Sequence, residues 1–378
     1  MADFQTVLHH EYETFLNQFH LSYHQISVFN HIRDCHSEKM GFNRFYCENC
    51  GYEVTHYNSC RDRNCPMCQS FQREEWINKY EERLLDVPYY HIVFTLPDEL
   101  NPVIYQNQKT SYSLMFRTAA SAIQDCARRT YGKVGFSCIL HTWGQNFSFH
   151  PHIHCIMAGG GITVDDGHTI FKHAPKNYLV PAKVVSRLFR GKFLDAFKSA
   201  RLDFFNDCEQ YMDPDNFNAL ISDMYSKDWV VYIKEPFNNT KAVLNYIGRY
   251  THRVAISNSR ILDYSEDQHT VTFSYKDYKD HGKKKEMTLS ALEFLRRFSM
   301  HILPSHFVKI RHYGFMSNQS RNRLIPVCRK LIDPQSADKV CSTREHSERS
   351  ALDTKCPCPK CGGKLILYRF SEDYPNSS

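Results

Sequence analysis

The sequence lacks the features of membrane-spanning and exported proteins. No stretch approaches the ~20 consecutive apolar residues that a spanning helix needs, and the first residues do not form a basic region followed by an apolar run. A Gly-x4-Gly-Lys-Ser/Thr loop is also absent, so we expect no built-in ATP-driven helicase. With 42% hydrophobic and 14% aromatic residues, the 378-residue chain is typical of globular proteins with two or three domains. We therefore expect an intracellular, cytoplasmic protein.

Cysteine is frequent but unevenly distributed. The chain has 15 cysteines, and an odd, clustered set without an export signal indicates metal ligands and buried thiols, not a disulfide framework. Two Cys-x2-Cys pairs lie 14 residues apart in the first 70 residues. This spacing is typical of a site in which each pair gives two sulfurs to one tetrahedral Zn²⁺. We therefore predict structural zinc bound by Cys47, Cys50, Cys65 and Cys68.

Other potential zinc ligands remain outside this predicted site. They are Cys35, Cys60, His31 and His36, which could complete a second site or replace one of the four favoured ligands. Near the end of the chain, the stretch from Cys356 to Gly363, which includes Cys358 and Cys361, resembles half of a zinc ribbon. Its second half would have to come from Cys328 and Cys341, across a stretch rich in Ser, Asp and Arg.

One strand-like stretch, Phe149 to Met157, combines metal-ligating and apolar residues. As a strand it turns its histidines to one face and residues such as Ile153 to a core. The imidazoles of His152 and His154 then converge on one point, which suits a divalent metal with open positions for a substrate oxygen. Gln145, in the preceding turn, is a candidate third ligand. The alternative is a set of surface histidines and a turn glutamine in water.

A predicted helix over 241–253 carries two tyrosines on one face. Tyr246 and Tyr250 are four residues apart and therefore neighbours on the helix surface. Val243 and Ile247 share that face, so both tyrosines could instead pack into a core. The range 241–260 contains no acidic residue and four cations: Lys241, Arg249, Arg253 and Arg260. Because a phenol is a weak nucleophile at neutral pH, such a setting would suit attack on a phosphodiester polarised by a metal.

Positive charge is concentrated in the last third of the chain. Eleven Lys and Arg residues between His281 and Lys330 oppose only Glu286 and Glu293, although the formal net charge of the whole chain is +6. This local excess predicts a polyanionic partner. A second basic loop, 58–64, lies beside the Cys65 pair, and its alternative interpretation is a solvated surface.

Taken together, these motifs resemble the rolling-circle insertion-sequence transposases of the two-tyrosine HUH endonuclease class, where HUH denotes His, a hydrophobic residue and His. The matching stretches occur in the family's order: Asn58–Gln69, His91–Pro97, Thr142–Gln145, His150–Cys155, Tyr246–Ser257 and Arg311–Gly314. The resemblance implies that His152 and His154 hold Mg²⁺ or Mn²⁺ and that Tyr246 and Tyr250 are nucleophiles. We also predict DNA contacts by five arginines: Arg61, Arg63, Arg249, Arg253 and Arg311.

The resemblance also implies an architecture. We expect an α+β fold in which an antiparallel, palm-like HUH sheet with helices follows a small cysteine-rich zinc module. The predicted divisions are a helical and zinc-binding domain (1–86), an endonuclease domain with the tyrosine helix (87–280), a basic DNA-binding segment (281–330), and a flexible tail with half of a zinc site (331–378).

The implied activity is the nicking and rejoining of single-stranded DNA at element ends through a 5′-phosphotyrosine. Target DNA and a host helicase are the further expected partners, and rejoining would need no nucleotide cofactor. A plasmid or phage replication initiator would use the same chemistry. A non-catalytic zinc-dependent DNA-binding regulator would keep the histidines and tyrosines only for structure, and a metal hydrolase would leave 5′-phosphate ends without a covalent intermediate.

Overall fold

The structure is a computed structural model that describes residues 2–68, 76–78, 80–175, 178–237, 242–244, 246, 248, 254–277, 280–335 and 357–370. Its helices are α1 (Phe4–Gln18), α2 (Tyr23–Asp34), α3 (Asn101–Gln106), α4 (Gln108–Tyr131), α5 (Ala182–Lys198), α6 (Pro214–Ser226), α7 (Ala291–Met300) and α8 (Arg321–Ile332). Short 3-10 helices cover Glu38–Met40, Asp98–Leu100, Asn206–Met212 and Asn258–Arg260.

The strands are distributed between these helices, mostly in consecutive groups. They are β1 (Phe42–Cys47), β2 (Glu53–Tyr57), β3 (Tyr89–Thr95), β4 (Lys133–Trp143), β5 (Phe149–Asp165), β6 (His168–His173), β7 (Val231–Phe237), β8 (Ile261–Ser265), β9 (Thr270–Asp277), β10 (Lys283–Ser290), β11 (Ile310–Gly314) and β12 (Leu365–Phe370). The predicted α+β class is therefore confirmed.

A six-stranded sheet positions the candidate site. Its strand order is β11-β4-β5-β3-β7, and β6 pairs with the far end of β5. Every pairing in it is antiparallel, which confirms the predicted palm-like antiparallel sheet. Because β5 lies between β4 and β3, its side chains have neighbours from both strands on each face of the sheet.

The two faces of this sheet carry different side chains. On one face, Phe94, Ile153 and Met157 are fully buried against Met115 and Ile123 of α4. These α4 residues follow the helical spacing of an apolar stripe, which explains why the helix lies on the sheet. The predicted inward orientation of Ile153 is thus confirmed, and the histidines of β5 occupy the opposite face.

The N-terminal helices share a core with a later helix. Helix α1 ends at Gln18, and Ser22, the N-cap of α2, forms a capping box with Gln25. Phe4 of α1 packs on Phe298 of α7, with ring centroids 4.3 Å apart. Residues of the predicted first domain and of the basic segment therefore belong to one hydrophobic cluster.

The end of the described chain returns to the N-terminal region. Strand β12 pairs antiparallel with β1, which also pairs with β2, and so forms a three-stranded sheet. This differs from the predicted flexible tail, because a register of paired strands holds residues 365–370. Residues 336–356 and 371–378 of that predicted tail lie outside the described residues. Among the helices that the structure describes, none is both long and apolar enough to span a membrane.

Candidate active site and metal-binding clusters

Three histidines from two neighbouring strands form the centre of the candidate site. His152 and His154 are two residues apart on β5, and His141 on β4 lies directly opposite His152. Alternate residues of a strand and cross-strand partners share a face, so the three imidazoles lie together. One nitrogen from each ring lies within 4.8 Å of the others. This histidine cluster has the donor set of a divalent transition-metal site.

Hydrogen bonds orient two rings of the histidine cluster. Nδ1 of His152 donates to the carbonyl oxygen of His150 over 2.7 Å. Nδ1 of His154 lies 2.8 Å from Nε2 of His91, which belongs to β3. Metal-binding histidines commonly engage their second nitrogen in this way, since it fixes the tautomer and the ring orientation. Ligation through Nε2 of each ring fits both hydrogen bonds.

Tyr246 reaches the histidine cluster through His91. Its hydroxyl oxygen lies 3.0 Å from Nδ1 of His91, and the two rings meet edge to face with centroids 4.9 Å apart. A continuous chain of hydrogen bonds thus joins the Tyr246 hydroxyl, His91 and His154. The structure therefore gives Tyr246 a polar partner as well as the apolar contacts expected of a core tyrosine.

Apolar contacts hold this tyrosine in place. The described residues 242–244, 246 and 248 are helical, which agrees with the predicted tyrosine helix. Val243 and Leu244 are buried in a cluster with Ile139 and Ile156 of the sheet, and these two isoleucines share the face of His154. The tyrosine helix therefore packs on the face of the sheet that carries the histidine cluster. Three predicted site residues, Tyr250, Arg249 and Arg253, lie outside the described residues.

His91 is neutral in this environment. It is only 4% exposed, and burial, followed by the charges of Lys234 and His152, lowers the pKa of His91 to about 3. A neutral imidazole accepts through one nitrogen and donates through the other. If His154 donates from Nδ1, His91 accepts at Nε2 and donates from Nδ1 to the Tyr246 oxygen.

The third residue beside His152 and His154 is His141, whereas Gln145 was predicted as the third ligand. Gln145 lies in the turn between β4 and β5, where its backbone carbonyl accepts a hydrogen bond from Arg260 over 2.6 Å. Ligation by the Gln145 amide stays a prediction, whereas the structure brings His141 to the cluster. His150 instead lies 3.2 Å from a carboxylate oxygen of Asp98. The position of His141 before a tight hairpin turn was the sequence signal that could have identified it.

The cysteines form two clusters, so the structure separates Cys47 and Cys50 from the other two predicted zinc ligands, Cys65 and Cys68. The first cysteine cluster contains Cys35, Cys60, Cys65 and Cys68, and the second contains Cys47, Cys50, Cys358 and Cys361. Within each cluster the sulfurs lie within 4.8 Å of one another, as four ligands of one tetrahedral zinc do. The end of α2 brings Cys35 to the 60–68 loop, and the pairing of β12 with β1 brings Cys358 to the turn after β1.

Of the two partners predicted for the C-terminal Cys-x2-Cys pair, the structure describes one, Cys328, and it lies elsewhere. Cys328 is buried in a different cluster with Phe315, Met316 and Ile325. Cys341 lies outside the described residues. Sequence spacing could not reveal the observed partners, because the two halves of the second cysteine cluster lie about 300 residues apart in the chain.

Two of the predicted DNA-binding arginines contact protein groups. The guanidinium of Arg63 donates to three backbone carbonyls after α7, those of Leu303, Pro304 and Phe307. Arg311 lies over the ring of Phe116, 4.4 Å from its centroid. Arg61 is exposed. Phosphate contacts by these arginines stay predictions, and the structure assigns Arg63 a role in connecting the 58–64 loop to the end of α7.

Comparisons with known proteins agree with these features. Residues 135–323 match a family model described as "Putative transposase", and residues 7–96 match one described as "Transposase zinc-binding domain". The chain is 38% identical over 359 residues to "Putative transposase y4qJ" of Sinorhizobium fredii, an alignment that covers 92% of this chain and 89% of the relative. It is 29% identical over 294 residues to "Transposase for insertion sequence element IS801" of Pseudomonas savastanoi pv. phaseolicola, covering 77% and 70%. No solved structure is significantly similar to it.

Proposed function

Because this chain belongs to the rolling-circle insertion-sequence transposases of the two-tyrosine HUH class, we propose that it cuts single-stranded DNA at element ends by forming a covalent bond to Tyr246. The main support is the hydrogen-bond chain from the Tyr246 hydroxyl through His91 to His154. A tyrosine that served only packing would need no link to a cluster of metal-binding residues. The N-terminal zinc-binding domain is structural in this proposal.

The histidine cluster fits a catalytic divalent ion. Its donor set is three imidazoles, two of them oriented by hydrogen bonds from Nδ1. When bound, Mn²⁺ or Mg²⁺ would polarise a non-bridging oxygen of the scissile phosphate. Imidazole ligands favour Mn²⁺ over Mg²⁺, which prefers oxygen.

The side chains around the cluster would carry out the exchange of bonds. The Tyr246 oxygen attacks phosphorus, so that a new oxygen–phosphorus bond forms while the bond to the 3′-oxygen breaks. The phenol releases its proton to water, and the departing 3′-oxygen takes a proton from water, so that the exchange is balanced. His91 donates its Nδ1–H to the phenolate oxygen and so lowers the energy of that charged form. Because one phosphate ester replaces another, the reverse reaction can rejoin DNA without a nucleotide cofactor.

A second tyrosine would complete strand transfer. Tyr250 follows Tyr246 by one helical turn in the sequence. We propose that it makes the second cut while the first DNA end remains attached to Tyr246. The free 3′-OH of one cleavage can then attack the other phosphotyrosine and join element to target.

An adduct assay with end-labelled DNA tests this function. Purified protein, Mn²⁺ and single strands from both element ends are incubated and separated on a denaturing gel. A 5′-phosphotyrosine retains the fragment on the 3′ side of the cut, so a 3′-labelled strand should shift with the protein. A 5′-labelled strand should yield a shorter free product that ends in 3′-OH.

Variants make the assay specific. The combination of Tyr246→Phe and Tyr250→Phe, and separately His152→Ala, should abolish the adduct, whereas the exposed control Tyr178→Phe should retain it. Transfer of the attached end to a target strand would support transposition. Cleavage with 5′-phosphate ends and no adduct, or an undiminished adduct in the double tyrosine variant, would refute the proposal.

A further inference from the structure

We propose that the second cysteine cluster is a zinc site of its own, which fastens β12 to the N-terminal hairpin of β1 and β2. The zinc-binding family model ends at residue 96 and therefore does not include Cys358 or Cys361. Two ligands of this site come from near the start of the chain and two from near its end. The site is independent of the chemistry at the histidine cluster.

The distances between sulfurs favour zinc over disulfides. Sγ of Cys47 lies 3.5 Å from that of Cys361, and Sγ of Cys50 lies 3.6 Å from that of Cys358. Sulfurs joined in a disulfide are about 2.05 Å apart. Two thiolates on one tetrahedral Zn²⁺, with bonds of about 2.3 Å, are separated by roughly 3.8 Å. The observed spacing therefore matches four ligands around one ion.

The two halves of the cluster have the same local structure. In each, a Cys-x2-Cys pair is followed by a glycine with positive φ, Gly51 at 68° and Gly362 at 73°. The amide of Gly51 donates to the carbonyl of Cys47 over 2.9 Å, and the amide of Gly362 donates to that of Cys358 over 2.8 Å. Glycine adopts this left-handed conformation without the cost that other residues incur. Two copies of one turn thus present two pairs of sulfurs to a common point.

The close approach of the two turns is built into the sequence. A Cβ atom on Gly363 would lie 2.7 Å from the side-chain nitrogen of Asn49, so a larger residue there would force the Asn49 side chain to move. The amide of Gly363 also points to Sγ of Cys361 over 3.4 Å. An N–H aimed at sulfur stabilises the thiolate form that binds zinc.

The surrounding sheet has too small a core to explain the arrangement by packing. Among the residues that the structure describes, the local cluster buries only Cys47, Cys358 and Leu365, with Phe45, Tyr52 and Val54 partly buried against them, while Cys50 and Cys361 are exposed. Exposed thiols gain little from burial, and small domains with so few buried side chains usually depend on a metal or disulfides. Zinc supplies the missing stabilisation and connects residues more than 300 positions apart.

Measurement of bound zinc in the full chain tests this proposal. The wild type should retain about two zinc ions per chain after desalting, one for each cysteine cluster. Variants carrying Cys358→Ser with Cys361→Ser, or Cys47→Ser with Cys50→Ser, should each retain about one, and so should the variant with all four changes. The control Cys208→Ser with Cys328→Ser, which changes buried thiols outside both clusters, should retain two. An unchanged zinc content in the Cys358 variant would refute the site.

A second experiment tests whether the zinc site holds the C-terminal segment to the N-terminal hairpin, without counting zinc ions. A protease site is inserted between Arg349 and Ser350, and the purified chain is cleaved there. The 350–378 fragment should co-elute with the remainder on gel filtration. It should separate when the same chain also carries Cys47→Ser and Cys50→Ser. Co-elution in both chains would show that strand pairing suffices and would overturn the fastening role of zinc.

Discussion

Replacing His91 with phenylalanine tests the link between the tyrosine and the histidine cluster. His91 makes hydrogen bonds of 2.8 Å to His154 and 3.0 Å to Tyr246, and it is almost fully buried. Phenylalanine has a similar ring but can make neither bond. The variant therefore removes the connection and retains most of the packing.

The expected losses of stability and of cleavage rate depend on whether the partner of each hydrogen bond is neutral or charged. Two neutral hydrogen bonds contribute about 1 kcal/mol each, so the free energy of unfolding should fall by roughly 2 kcal/mol. In the proposed attack, the Tyr246 oxygen gains negative charge, and a hydrogen bond to a charged group is worth about 2 to 3 kcal/mol, which exceeds the neutral bond of the ground state by about 1 to 2 kcal/mol. At about 1.4 kcal/mol per factor of ten, cleavage should slow by roughly 5- to 30-fold.

Single-turnover adduct formation at saturating DNA and Mn²⁺ measures this effect. Saturation with metal is needed because loss of a partner to a metal-binding histidine weakens metal affinity by about 10- to 100-fold. Tyr90→Phe is the matched control: Tyr90 precedes His91 on β3, faces the opposite core, and donates to the carbonyl of Pro175 over 2.6 Å. It should lower stability by about 1 kcal/mol without slowing cleavage. Wild-type cleavage by His91→Phe at saturating metal would refute the proposed role of His91.

Three further predictions concern the metal, pH and the loop of Arg63. His141→Ala should raise the Mn²⁺ concentration for half-maximal cleavage by about tenfold or more, whereas Gln145→Ala should not; the opposite result would favour Gln145 as the ligand. His269 lies 2.7 Å from the buried Glu11 carboxylate, and this hydrogen bond raises the pKa of His269 above 6.5. The contribution of this hydrogen bond to stability is therefore complete below pH 6.5 and is lost as pH rises through the raised pKa of His269. The melting temperatures of wild type and His269→Ala should converge as the pH is raised. Convergence as the pH is lowered would contradict this. Arg63→Ala should lower the free energy of unfolding by roughly 1 to 3 kcal/mol, because three carbonyls lose a donor; an unchanged denaturation midpoint would exclude that role.

The histidine cluster illustrates which parts of a site the sequence can predict. The alternation of His152, Ile153 and His154 is local, so the two faces of β5 follow from the period of a strand. His91 and His141 join the site only through the register of β3 and β4 against β5. A shift of one residue in either register would turn these side chains to the other face. Spacing within one segment contains no information about that register.

The cysteines show the same limit over longer distances. Each Cys-x2-Cys turn is a local feature and was predicted as half of a metal site. The choice of partner depends on where the turns lie in space, and several pairings satisfy the same spacing. The pair at Cys47 lies closer in sequence to Cys65 than to Cys358, yet the pairing of β12 with β1 decides in favour of Cys358.

The two faces of the central sheet carry different side chains: apolar residues pack on one face, and the histidine cluster lies on the other. On one face of β5, Ile153 and Met157 bury their side chains against α4. On the other face, His152 and His154 face the tyrosine helix. The helix-covered face fixes the strands in register, and that register holds the imidazoles close together before any ion or DNA arrives. In the proposed mechanism the sheet holds the metal ligands and a separate helix brings Tyr246 to them, so the nucleophile and the ligands belong to different elements. In the proposed mechanism Tyr250, four residues after Tyr246 in the sequence, would use the same histidine cluster for the second cleavage.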